Sequence, residues 1–162
     1  VGVTAKNPFE DAEEYEGREA RAGEPEAGVA VVGVDHIAIA VADLDATLEL
    51  YRTVFGLTVE NRERLHDDGV EVAVVRAGDV ALQFVTPIDD DADLAAFLAE
   101  WGPGLHHLGL RVEHAADALE VLEREGYEVV DEEPRPGLGF TKVAFVNPHD
   151  LDGTIIQLVE HP

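Results

Sequence analysis

Two stretches of this chain carry one pattern: VDHIAIAV at 34–41 and LHHLGLRV at 105–112. Their histidines, His36 and His107, stand in equivalent places 71 residues apart. A repeat of this length restricts the fold to architectures that use one supersecondary unit twice, each copy helping to bury the other. In the first copy, Leu44, Leu48, Tyr51 and Phe55 fall at helical spacing in DLDATLELYRTVFG, and Gly56 suits a helix stop. VEVAVV and VALQFV, joined through RAGD, read as a hairpin. In the second copy, HAADALEVLEREG reads as a helix ending at Gly126, and EVVDEEP, TKVAFVNP and GTIIQLVEH read as strands. The fold class expected is therefore α+β, a βαβββ unit written twice. Module 31–88 and module 105–162 flank a short acidic linker helix within 89–104, closed by Gly-Pro-Gly. Residues 1–30 show no sustained apolar period and read as an acidic, flexible arm.

Strand alternation sorts the side chains of each opening strand into two faces. Ile37, Ile39 and Val41 form a bulky face suited to a helix, while His36, Ala38 and Ala40 form a small face suited to a cavity. The second copy repeats this, with Leu108, Leu110 and Val112 against His107, Gly109 and Arg111. His106 and His107 are neighbours, so without a bulge only one faces the cavity. Parity assigns that place to His107 and sends His106 towards the helix layer. The last strand of each copy holds one amide in an apolar run: Gln83, 47 residues after His36, and Gln157, 50 residues after His107. A buried amide without a partner costs a few kcal/mol, so each needs a hydrogen bond or a ligand. Four such residues at equivalent places suit one convergent site. The other histidines read as local features: His114 a helix start, His66 and His149 loop residues, His161 a frayed terminus.

Charge and composition exclude several function classes. Thirty-five acidic residues against eleven basic ones give a net charge of −24, and Lys6 and Lys142 are the chain's two lysines. Such a field repels nucleic acid and anionic membranes. The acids are spread along the chain, as in cytoplasmic proteins of extreme halophiles, where molar salt shortens the Debye length to about 3 Å. No apolar run suits a membrane span and the N-terminus does not read as a signal peptide, so a cytoplasmic location is expected. Without cysteine, a metal must sit on histidine, carboxylate or amide oxygen.

With these features in hand, the chain resembles the vicinal oxygen chelate superfamily, also called the glyoxalase/dioxygenase fold, and within it methylmalonyl-CoA epimerases. The likeness is carried by VDHIAIAVADLDATLELYRTVFGL, GPGLHHLGLRV, DEEPRPGLGFTKVAF and GTIIQLVE, spread over residues 33–160. It implies that the two modules form a curved mixed sheet around a cavity. It also implies a divalent metal on His36, Gln83, His107 and Gln157. The ion is open between Co(II), Ni(II), Mn(II) and Zn(II). The epimerases normally carry Glu where this chain has Gln157. An amide can coordinate through oxygen but cannot act as a base near neutral pH. A second departure is NPHDLDG, where Asp150 and Asp152 replace a more basic loop expected to meet CoA phosphates. The glycines of DEEPRPGLGF are kept and permit close backbone approach to a ligand.

The activity the resemblance implies is a 1,1-proton transfer on methylmalonyl-CoA or a related acyl-CoA thioester. Glu71, which interrupts the apolar strand GVEVAVV, is the expected catalytic acid/base group. A one-residue slip in hairpin register would turn it outward. Arg111 is expected to pair with the substrate carboxylate. The same fold also serves glyoxalase I-type lyases, extradiol dioxygenases and non-catalytic binding proteins. A dioxygenase would need a carboxylate among its ligands, and Gln157 argues against that. A homodimer fits the family habit of pairing modules or chains.

Overall fold

The computed structural model describes residues 28–162, so the arm reading over 1–27 lies outside the described residues. Its strands and helices run β1 (Val31–Ala40), α1 (Leu44–Phe55), β2 (Val59–Leu65), β3 (Val70–Ala77), β4 (Val80–Pro87), α2 (Asp93–Trp101), β5 (Gly104–Val112), α3 (Ala115–Arg124), β6 (Arg135–Pro136), β7 (Lys142–Val146) and β8 (Ile156–Glu160). One curved eight-stranded sheet holds them in the order β2-β3-β4-β1-β5-β8-β7-β6. Each module contributes four strands. The opening strands β1 and β5 pair antiparallel at the centre, and each has the last strand of its own module parallel on its other side.

The βαβββ repeat expected from the sequence is present, with two local differences. VENRERL forms β2, an edge strand exposed along nearly all its length. It has no buried face, so no apolar alternation announces it. EVVDEEP does not form a strand: Val129 makes one bridge to Val146, and pairing resumes as the two-residue β6. Three consecutive acids followed by proline cannot supply a continuous buried ladder there.

Helix boundaries follow local chemistry. The Asp43 side chain accepts the Ala46 N–H at 2.9 Å and caps α1. Gly56 closes the helix in the left-handed conformation (φ 69°), a geometry that penalises a side chain. The helices then divide between the two faces of the sheet. On the convex face α1 covers Ala73, Val75 and Phe84, while α3 covers Ala144, Val146 and Leu158. On the concave face α2 sets Leu94 against Ala38, Ala40, Val72 and Val85. That leaves the rest of the concave face to form a cavity.

Candidate active site

The concave face encloses a cavity of about 500 Å³. Sheet register decides which side chains enter it. His36 on β1 lies between Ala81 of β4 and Gly109 of β5, and Gly109 in turn lies beside Gln157 of β8. One row along, Ala38 stands between Gln83 and His107. The four expected ligands therefore occupy two adjacent rows, and all four line the cavity. His36 is 2 % exposed and Gln157 9 %. The two Nε2 atoms, of His36 and His107, face each other at 3.0 Å with their rings nearly perpendicular.

Small residues make this possible. A Cβ added at Gly109 would stand 2.4 Å from Cε1 and 2.5 Å from Nδ1 of His36, so the ring lies flat on the glycine backbone. Gly109 shares the cavity face because the face alternates, and its lack of a side chain is what admits the imidazole.

Both opening strands bulge immediately before their histidine. The β1–β5 pairing steps from Val34 to His36 opposite consecutive residues of β5, leaving Asp35 as the extra residue. It steps from His107 to Leu105 opposite Ala38 and Ile39, leaving His106 as the extra residue. A bulge adds one residue and re-aims the neighbouring side chains. Asp35 and His106 both line the cavity as a result. The expectation that His106 faces the helix layer is corrected on this point: its Nδ1 lies 2.8 Å from Nδ1 of His107, and its ring packs edge-on against Phe97 of α2. Its partner helix lies on the concave side.

The electrostatics follow from burial and these contacts. Burial, with smaller contributions from His36 and His106, pushes His107 down to about 2, so its imidazole is neutral. Burial also lowers His106. Burial alone would raise Asp35, but hydrogen bonds from His36 and His161 outweigh it and hold the carboxyl well below the usual range. His36 donates its Nδ1–H to Asp35 Oδ1 at 2.9 Å, which turns Nε2 towards His107. His161 donates from Nε2 to the other oxygen, Oδ2, so the terminus is docked at the cavity rather than frayed.

Glu71 is not brought to this site. On β3 it is Val70, Val72 and Val74 that line the cavity, and Glu71 falls on the alternate face. There it accepts from Arg62 Nε at 2.8 Å, and Arg62 also reaches Asp45 in the first turn of α1 at 2.6 Å. The Arg62 hydrogen bond lowers the Glu71 carboxyl and ties it to the helix side. Arg111 does line the cavity, half-exposed, with Nη2 3.4 Å from Asp35 Oδ2. Nor does the loop carrying Asp150 and Asp152 reach the lining; Asp150 instead accepts the Glu128 N–H at 2.9 Å.

Sequence reasoning missed Asp35, Asp68, Asp131 and Arg135. Arg135 lines the cavity and joins Asp68 of the first module (2.5 Å) to Asp131 of the second (3.2 Å). Its guanidinium also lies over the Phe145 ring, which packs against His107. Arg135 and Asp131 both fall near the glycine-rich stretch already singled out, whereas nothing in the sequence marks the bulge at Asp35.

The donor set fits a divalent ion. The two Nε2 atoms, 3.0 Å apart, converge on one point where they would hold such an ion together. Both imidazoles turn Nε2 into the same space, and the amides of Gln83 and Gln157 offer oxygen on the same face. Among the described residues no cluster of three or more His, Cys, Asp or Glu could hold an ion.

Residues 35–145 match the model of the glyoxalase/bleomycin resistance protein/dioxygenase superfamily. The chain belongs to that superfamily. An uncharacterized protein of Bacillus subtilis is 32 % identical, covering 78 % of this chain and 91 % of its own length. The crystal structure of methylmalonyl-CoA epimerase from Mycobacterium tuberculosis superimposes with a TM-score of 0.79 at 32 % identity, covering 86 % of this chain and 94 % of that one. A methylmalonyl-CoA epimerase in complex with methylmalonyl-CoA and NH4+ gives 0.78 at 31 %, covering 81 % and 95 %. Named relatives in this superfamily thus include epimerases, and the likeness extends over nearly all of these two chains. Among the described residues no helix is long and apolar enough to cross a membrane.

Proposed function

We propose that this chain is a metal-dependent epimerase that moves a proton between the two faces of the carbon flanked by a thioester and a carboxylate. Methylmalonyl-CoA or a related 2-substituted malonyl thioester is the substrate. The observation that carries the proposal is the facing pair of Nε2 atoms, with Gln83 and Gln157 on the same face of a cavity in a chain similar to epimerases. His36, Gln83, His107 and Gln157 hold the divalent ion. When bound, that ion supplies Lewis-acid stabilisation of negative charge developing on the substrate's oxygens.

The chain's own residues do the remaining work. Glu71 faces away and Gln157 cannot accept a proton at neutral pH, so the base comes from another cavity-lining group. Asp68 takes this role: it sits just before β3, lines the cavity and is held by Arg135, and once it has removed the α-proton the enolate regains a solvent-derived proton on its opposite face. Arg111 at the rim meets the substrate carboxylate, and Val70, Val72 and Val74 form an apolar wall of the cavity. The chain acts on a small molecule in the cytoplasm, with no nucleic-acid or membrane partner; a homodimer is compatible with this assignment. Its charge of −24 requires molar salt for full stability.

The test is solvent exchange. Co(II)-loaded protein in molar KCl should wash deuterium into the α-carbon of methylmalonyl-CoA in heavy water. Asp68→Asn should retain Co(II) and lose exchange by 10²-fold or more, in the range of general base catalysis. A second reading is favoured by one observation, the amide at Gln157. A chain that binds the thioester and the metal but never exchanges the proton is a binding protein of this fold, and the enzyme assignment would be withdrawn.

A further inference from the structure

We infer that Asp35, turned into the cavity by the β1 bulge, is a positioning residue of the metal centre that orients His36 and supplies the negative charge its donor set lacks. This rests on the metal site proposed above and concerns a residue that touches a ligand rather than the ion.

Three observations support it. First, the two carboxylate oxygens are divided between tasks. Oδ1 accepts from His36 Nδ1, while Oδ2 takes His161 and Arg111. A carboxylate can only accept, so His36 Nδ1 carries a proton and donates it, and the ring is held with Nε2 aimed at Nε2 of His107. A histidine ligand whose second nitrogen donates to a carboxylate is both oriented and made more basic. Second, Asp35 reaches this position only through the bulge, since regular alternation would place it on the face opposite His36. Its side chain is 10 % exposed, so the carboxylate is held in place rather than solvated freely. Third, His36, Gln83, His107 and Gln157 are all neutral donors. Asp35 is the carboxylate hydrogen-bonded to one of them, so the compensating charge sits one bond path behind the ion instead of on it.

Co(II) titrations followed by visible absorption, in molar KCl, test the inference with the full chain, Asp35→Asn, Asp35→Ala and His36→Ala. Removing such a partner costs about 10–100-fold in metal affinity. Asp35→Asn keeps an acceptor without the charge and should weaken Kd about 10-fold; Asp35→Ala should approach 100-fold. A purely structural role for Asp35 would lower the melting temperature of the metal-free protein and leave Kd unchanged. That result overturns the inference and leaves the metal site standing. No Co(II) bound by the unaltered chain overturns both. Nitrogen-15 NMR of the unaltered metal-free protein gives an independent readout that no variant's folding can spoil. The His36 proton should reside on Nδ1; a proton on Nε2 overturns the inference.

Discussion

In the first module the bulge turns a carboxylate, Asp35, towards Nδ1 of His36; in the second it turns an imidazole, His106, towards Nδ1 of His107. The backbone device is the same and the chemistry is not. Asp35 can only accept, so it dictates which His36 nitrogen carries the proton. His106 can donate or accept, so it leaves the tautomer of His107 to be set by what lies at its Nε2. The two halves thus keep a common skeleton for aiming a ring while assigning rigidity and charge to one half. Repetition conserves geometry more readily than function, because the bulge constrains the backbone and not the side chain it exposes.

The largest expected effect comes from filling the space between the modules. A Gly109→Ala methyl would sit 2.4 Å from the His36 ring, and both atoms are buried in the central strand pair. The ring must leave its place, so metal binding should be lost and stability should fall by about 1–3 kcal/mol. Retained Co(II) at full stoichiometry would mean that His36 does not need its seat on Gly109. His107→Ala, which removes one of the facing nitrogens, should also abolish binding, with a smaller change in melting temperature than Gly109→Ala.

Next comes the comparison of the two bulge residues. Asp35→Ala should weaken Co(II) binding by up to about 100-fold. His106→Ala removes a neutral partner and should weaken it by less than about 10-fold. Equal losses would show that any hydrogen-bonding group at the bulge suffices and that charge is irrelevant. Gln157→Glu sharpens the point further. With a carboxylate among the donors, the penalty of Asp35→Asn should shrink, and the double mutant should bind more tightly than Asp35→Asn alone. Strict additivity would place the two residues in independent roles.

Much of this arrangement was legible in the sequence, for reasons that particular residues make plain. His36, Gln83, His107 and Gln157 stand out because each is a polar residue in an apolar strand, and the register of the two aligned copies brings all four to one cavity. Glu71 went the other way because alternation fixes a face only relative to a neighbour. It is Val70, Val72 and Val74 that face inward, while Arg62 offers Glu71 a partner on the helix side. The same rule that succeeded elsewhere sends His106 to the wrong face and passes over Asp35. A bulge adds one residue to the strand without altering composition, so period-two reasoning fails at the position where the strand departs from it. β2 was missed because an exposed edge strand has no buried face to pattern.

The smallest effect separates the modules by how they cap their helices. Asp43 caps α1 from the adjoining residue, so Asp43→Ala should cost about 1 kcal/mol and remain local to that helix. His114, at the start of α3, makes no side-chain cap; the Ala115 N–H donates instead to Glu160 Oε2 at 2.8 Å, on the distant strand β8. Glu160 also accepts from Lys142 Nζ on β7 at 2.9 Å, so one carboxylate ties a helix to two strands. Glu160→Ala should likewise cost about 1 kcal/mol, but amide hydrogen exchange should rise in both α3 and β8. The Ala115 N–H, followed by Lys142, holds the Glu160 carboxyl below its ordinary value of 4.5. A lowered carboxyl stabilises the fold above the unfolded value, and that contribution disappears as pH falls through the folded one. The difference between the unaltered chain and Glu160→Gln should therefore be present at neutral pH and shrink as pH drops below about 4.5. A difference that persists unchanged in acid would show that the amide caps α3 as poorly for steric reasons, and that the carboxylate's charge plays no part in joining the second module's helix to its sheet.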